Sequence, residues 1–200
     1  NAVAWSWLAA VYLVTADYSK AREACDRLKP LAADLAVVGC LAYVDSLTGR
    51  AQFGLERLSM ALRQQPKADP ALRLWTLTRM AEIAERLGDN RLAEQHFRAA
   101  LALDVRDTYL LAAFSDFLLD QGRPTEVLTL LKDFSRADTL LLRLALAARD
   151  ANSPDAAKYQ QEMRERFDAA RRQGDALHEK EESRFARSLL KENQRALALA

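Results

Sequence analysis

Two hundred residues carry 29 lysines and arginines against 28 aspartates and glutamates, a formal net charge of +1, so the chain lacks the strongly basic balance that marks a nucleic-acid footprint. Half of the residues are hydrophobic, yet no apolar run approaches the roughly 18–20 residues that span a bilayer, and no membrane insertion is expected. Only six glycines and five prolines punctuate a composition rich in alanine, leucine, arginine and glutamate, which predicts an all-α chain.

The first expected helix places Trp5, Leu8, Ala9 and Tyr12 on one face and breaks at Ala16-Asp17. A second carries Ala21, Cys25 and Leu28 and is stopped by Pro30. The apolar stretch 31–44 contains Asp34 and reads as a core helix lined by Leu35, Val38, Leu41 and Ala42. Thr48-Gly49 makes the next turn, and Leu55, Leu58 and Leu62 mark the helix after it, with Pro66 following. An insertion at 66–70 separates this unit from the third. Its Asp69 suits a helix N-cap and Pro70 the first helical position.

The third unit sets Leu74, Leu77, Ala81, Ala84 and Leu87 in a stripe, stops at Gly88, and restarts with Leu92, Ala93, Phe97, Ala100 and Leu101. The fourth repeats the arrangement with Leu111, Phe114 and Leu118, a turn at Gly122, Pro124 opening the next helix, then Val127, Leu128, Leu131 and Phe134. The fifth runs from Leu140 to Ala148, turns at Asn152, and continues through Ala157, Met163 and Phe167 in a longer, more charged second helix. A partial sixth follows Gly174 with Leu177, Phe185 and Leu189, and its partner helix is expected near Asn193.

Turn residues thus recur at Ala16, Gly49, Gly88, Gly122 and Asn152, a period of roughly 34 residues that signals stacked helical hairpins, each covering its neighbour's apolar face. Residues 1–200 read as one solenoid with units near 2–30, 31–68, 69–106, 107–135, 136–173 and a partial 174–200. Small residues recur where paired helices must approach closely: Ala9, Ala42, Ala81 and Ser115 at one position, and Ala21, Gly54 and Ala93 at another, where Val127 is the larger exception. The chain enters a helical pattern directly at Asn1 and ends at Ala200 inside another. It reads as an excerpt of a longer protein, able to self-associate through exposed terminal repeats. Arginine far outnumbers lysine, read here as the codon bias of a GC-rich bacterial genome. Cytoplasm and periplasm both stay open.

Cys25 and Cys40 cannot make a metal site by themselves. They read either as small buried hydrophobes or, in an exported protein, as a disulfide between adjacent units. His178 and Glu182 are four apart on an expected helix, with Glu179 and Glu181 nearby. That offers two same-face ligands where a metal site needs three or four, and a charged helix start is the simpler reading. His96 has no acidic or nucleophilic partner in sequence, and no Ser/His/Asp arrangement, Cys/His arrangement or phosphate-binding glycine loop is present. Neither catalysis nor a cofactor is expected.

The recurring positions resemble the tetratricopeptide repeat family, whose W-x2-L-G-x2-Y, A-x3-F and P pattern is met by Trp5, Leu8, Ala9, Tyr12, Ala21 and Cys25 in the first unit. Leu41, Ala42, Gly54, Leu58, Ala61, Leu62 and Pro66 meet it in the second, and Leu77, Met80, Ala81, Ala84, Ala93, Phe97, Ala100 and Leu101 in the third. Val105 replaces the closing proline there, so a different turn is expected. The resemblance implies a right-handed superhelix of five to six helical hairpins, whose first helices line a groove that binds a peptide or helix of another protein. Carried onto this chain, the groove comprises Trp75, Thr78, Glu82, Glu85 and Arg86 in the third unit. Tyr109, Ala112, Asp116, Leu119 and Asp120 follow in the fourth, with Tyr43 and Ser46 in the second. Trp75 and Tyr109 would be the aromatic anchors, or else packing residues. Glu82, Arg86, Asp116 and Asp120 would read a partner's charges, or else form helix-spaced ion pairs such as Glu82 with Arg86. The Lys/Asn/Arg clamp by which some members hold a C-terminal carboxylate is missing, since Thr78 and Glu82 stand in its place. The expected function is a protein-interaction adaptor, with a structural module of a larger envelope or secretion assembly as the alternative.

Overall fold

The computed structural model describes residues 1–174 and 179–200, and every regular element among them is helical. Leu177 and His178 lie outside the described residues. The chain divides into two compact units, Asn1–Arg106 and Asp107–Ala200, and the boundary falls where the sequence ends its third repeat. The first unit holds α1 (Ala2–Val14), α2 (Tyr18–Asp26), α3 (Asp34–Leu47), α4 (Ala51–Gln64), α5 (Pro70–Arg86) and α6 (Asn90–Leu101). These pair as α1 with α2, α3 with α4 and α5 with α6, and neighbouring pairs meet through α2–α3, α4–α5 and α3–α5 contacts. The second unit holds α7 (Thr108–Asp120), α8 (Pro124–Leu131), α9 (Asp138–Asp150), α10 (Ala156–Arg172), α11 (Glu179–Phe185), a π-helical turn (Ala186–Leu190) and α12 (Asn193–Ala198). Here α7 packs on α8, α9 on α8 and α10, and α11 on α9 and α12.

The recurring turn has one geometry throughout. Ala16, Gly49, Gly88, Gly122 and Asn152 all have positive φ, between 53° and 81°. In each case the next amide reaches back to the last full turn of the helix: Asp17 to the Tyr12 carbonyl, Arg50 to Asp45, Asp89 to Ala84, Arg123 to Leu118 and Ser153 to Ala148, at 2.8–3.0 Å. This left-handed closure satisfies a carbonyl that the helix end leaves without a donor. Asp17 and Asp89 then cap α2 and α6 through their carboxylates, and Asp69 caps α5 with Pro70 in its first turn, as their residue types require. After α6, Asp104 adopts φ of 54°, which is the different turn expected where Val105 replaces proline. α2 ends at Asp26, earlier than Pro30 alone demands. The chain tightens there into amide bonds from Leu28 to Cys25 and from Lys29 to Asp26, because the residue before a proline is disfavoured in the helix.

Ala9, Ala42, Ala81 and Ser115 are buried, as are Ala21, Gly54, Ala93 and Val127. At Gly54 an added Cβ would lie 2.7 Å from the Ala42 carbonyl oxygen, so the two recurring small positions meet backbone to backbone between α3 and α4. The Cys25 and Cys40 sulfurs are joined in a disulfide that ties α2 to α3, settling the alternative that sequence leaves open. It sits in an apolar cluster with Ala9, Ala24, Leu28, Val37, Leu41 and Val44.

Three buried charges cross-link the elements. The Asp45 carboxylate is wholly buried and accepts from Arg22 and Arg50, each at 2.5 Å, with Arg57 at 3.9 Å. Arg143, almost buried on α9, donates to the Thr139 and Ala112 carbonyls and to Asp116. Glu182 is buried against Arg171 and Arg195. Each of the two buried acids, Asp45 and Glu182, has at least two guanidiniums on it, the pairing a desolvated charge needs.

Candidate aromatic and arginine site on the first unit

Helix α5 presents Trp75, Arg79, Glu82 and Arg86 at helical spacing beside Tyr43 of α3. Trp75 is half-buried because its ring lies directly over Gly39. A Cβ at that glycine would come within 2.3 Å of the ring, so α3 can approach only where it has no side chain. The Arg79 guanidinium lies 4.3 Å from the Tyr43 ring centre and 5.7 Å from that of Trp75. The Arg86 guanidinium lies 4.5 Å from the same Tyr43 ring and donates to the tyrosine hydroxyl at 2.6 Å. Two cations therefore share one aromatic ring, an attraction of about 0.5–2 kcal/mol each.

The charges are arranged unequally. Arg79 donates to the Glu82 carboxylate at 2.9 Å, whereas Arg86 reaches only the Glu82 main-chain carbonyl. The Glu82–Arg86 ion pair expected from spacing is thus replaced by Arg79–Glu82. Among the described residues no carboxylate lies within ion-pair distance of Arg86, which is exposed. The result is a guanidinium held in place by a ring and a hydroxyl, with donors left for an incoming acid.

The structure brings together Tyr43, Trp75, Glu82 and Arg86 of the residues named from sequence, and adds Arg79. It corrects others. Thr78 is buried, and its hydroxyl donates to the Leu74 carbonyl at 2.9 Å, so it offers nothing to a partner. Ser46 is buried and bonded to the Tyr43 carbonyl, and Ala112 is buried. In the second unit, Asp116 is not available to read a partner's charges. Its carboxylate accepts from Arg143 at 2.5 Å and from Arg184 at 2.7 Å. Leu119 packs on the core cluster of Leu141, Leu142, Leu146, Met163, Phe167 and Phe185. Tyr109, in the first turn of α7, and Asp120, at its end, are exposed.

Arg79 was legible as an i+4 neighbour of Trp75, but its position gives no hint that it would lie over two rings at once. Of the residues weighed for metal binding, His178 is outside the described residues and Glu182 is tied to Arg171 and Arg195. No cluster of three metal-ligating side chains occurs among the described residues. His96 is half-buried, and burial pulls its imidazole below the ordinary value of 6.5 while Asp89 pulls it up. No described helix is long and apolar enough to cross a membrane. No protein-family model matches the chain, and no curated protein matches it.

Proposed function

We propose that the chain is a helical-repeat adaptor of the tetratricopeptide kind, a right-handed solenoid in the sense that resemblance implies, binding a peptide or helical segment of another protein and catalysing nothing. The observation that supports this reading is the Tyr43–Trp75–Arg79–Arg86 cluster: half-buried aromatics, preset by packing, beside an exposed arginine with no acid of its own. Aromatics and arginine are the residues that carry interface energy. The favoured partner segment places an acidic side chain on Arg86 and an apolar one near Trp75.

Capture from a cell lysate on the immobilised chain, wild type beside Arg86→Glu, tests the reading. Arg86 is exposed, so the variant keeps its helicity. A protein held by wild type and lost by the variant is the expected result. Equal retention by both moves the site elsewhere, and no retention by wild type removes the adaptor reading.

A second reading, a structural module of a larger bacterial envelope or secretion assembly, is favoured by the Cys25–Cys40 disulfide, since such bonds persist in oxidising compartments. Isolation under alkylating conditions tests it. Two blocked thiols in the native protein would remove its support.

A further inference from the structure

Around the start of α4, arginines and exposed apolar side chains are gathered on a buried acid. Repeat register sets that acid apart. Counted from the small residues Ala9, Ala42, Ala81 and Ser115, Asp45 corresponds to Tyr12, Ala84 and Leu118, none of them charged at neutral pH. Asp45 is wholly buried, yet guanidiniums from three places converge on it: Arg22 of α2, Arg50 at the turn and Arg57 of α4. Arg22 and Arg50 share one carboxylate oxygen. Arg57 stands 3.9 Å from the other, which accepts no hydrogen bond. Three cations on one acid leave two positive charges uncompensated, and among the described residues no other carboxylate lies within ion-pair distance of the three. Arg50 also inverts a capping position. The corresponding Asp17 and Asp89 cap α2 and α6, whereas α4 starts behind Arg50 with no side-chain cap and no acid in its first turn. The positive end of the helix dipole is reinforced there rather than offset.

Apolar surface is interleaved with these cations. Phe53, Arg57 and Met60 follow one another at steps of four and three along one face of α4. Phe53 is 49% and Met60 54% exposed, and the Arg57 guanidinium lies 5.3 Å from the Phe53 ring centre. The side chains of Arg22, Arg50 and Arg57 keep 33%, 53% and 40% of their surface exposed, so outward N–H donors remain. Arginine, phenylalanine and methionine together are the composition of an interface rather than of solvated surface. A buried ion pair adds little net stability, so what Asp45 contributes is geometry: arginines it already orders need not be ordered by a partner. We infer that Arg22, Arg50, Phe53, Arg57 and Met60 form a second docking surface, distinct in its residues from the Trp75 site, for an acidic protein segment whose carboxylates flank an apolar side chain. Two carboxylates match the two uncompensated charges through charge-assisted hydrogen bonds, and the apolar side chain covers Phe53 and Met60. A free inorganic anion would leave that apolar pair uncovered.

Fluorescence anisotropy with a labelled peptide repeating Glu-Phe-Glu tests this, in the whole chain carrying Arg86→Glu so that the Trp75 site does not contribute. The expected result is saturable binding that weakens with added salt. Adding Arg57→Gln or Phe53→Ala should weaken it about tenfold while circular dichroism stays unchanged, and a Lys-Phe-Lys peptide should not bind. Absence of saturable binding overturns the inference and leaves the Trp75 reading standing, since Arg86 is already reversed. Binding that both added substitutions leave unchanged overturns it too, as does equal binding of the lysine peptide. Preference for phosphatidylglycerol vesicles over the peptide would overturn it in favour of a membrane contact.

Discussion

Gly54 shows how a single residue fixes a helix pair. Its missing Cβ would lie 2.7 Å from the Ala42 carbonyl oxygen, and neither backbone can yield without moving its helix. Gly54→Ala should therefore lower the melting temperature: overpacking of about 1–3 kcal/mol outweighs the roughly 1 kcal/mol that alanine gains in helix propensity. A melt equal to wild type would reject the contact. His96 makes a pH prediction. Burial lowers its folded value below 6.5, so beneath 6.5 the unfolded chain takes up a proton that the folded chain resists. Its contribution is present above that value and is lost as pH falls through the lowered folded one. Thermal melts between about pH 8 and about pH 5 should show stability declining on the acid side, and His96→Gln should flatten that decline. An unchanged pH slope would show that the histidine does not couple to folding. Small and aromatic positions such as Gly54, Ala42 and Trp75 were legible because helical spacing places them. The charge pairs were not. Arg22 lies 23 residues from Asp45 and Arg184 lies 68 from Asp116, and nothing in local pattern predicts which acid an arginine will find.

At the scale of elements, one turn built on a left-handed residue closes α1, α3, α5, α7 and α9. Glycine or asparagine holds that position in four of these, for the steric reason that makes the turn visible in sequence. Ala16, at φ of 57°, is the exception and was legible only through its place in the repeat. Ala16→Gly should stabilise the first hairpin by about 0.5–1 kcal/mol, relief of left-handed strain less the entropy of glycine. A chemical denaturation midpoint that falls would contradict the turn geometry. The disulfide ties α2 to α3 across 15 residues, and its removal by Cys25→Ser/Cys40→Ser should cost about 3 kcal/mol by loop-closure entropy. Loss of much less would mean that packing alone holds the first hairpin to the second. The misplaced Thr78, Ser46 and Ala112 share one cause. A first helix in such a stack packs on its own partner and on the neighbouring hairpin, so its buried arc is wider than the single apolar stripe that periodicity reveals.

At the scale of the whole chain, two compact units use the same hairpin and the same turn, but their charged surfaces differ in use. Asp116 is held by arginines inside the second unit, whereas Arg86 of the first has a ring and a hydroxyl but no acid. That asymmetry is why the proposed binding is assigned to Tyr43, Trp75, Arg79 and Arg86 rather than spread over every first helix, as the family resemblance implied. The most direct test is photo-crosslinking in lysate from a reactive side chain replacing Arg86, set beside one replacing the exposed Arg91 on α6. Crosslinks to a defined partner from position 86 and none from position 91 are the predicted result. Crosslinks from 91 alone would contradict the assignment of the binding face.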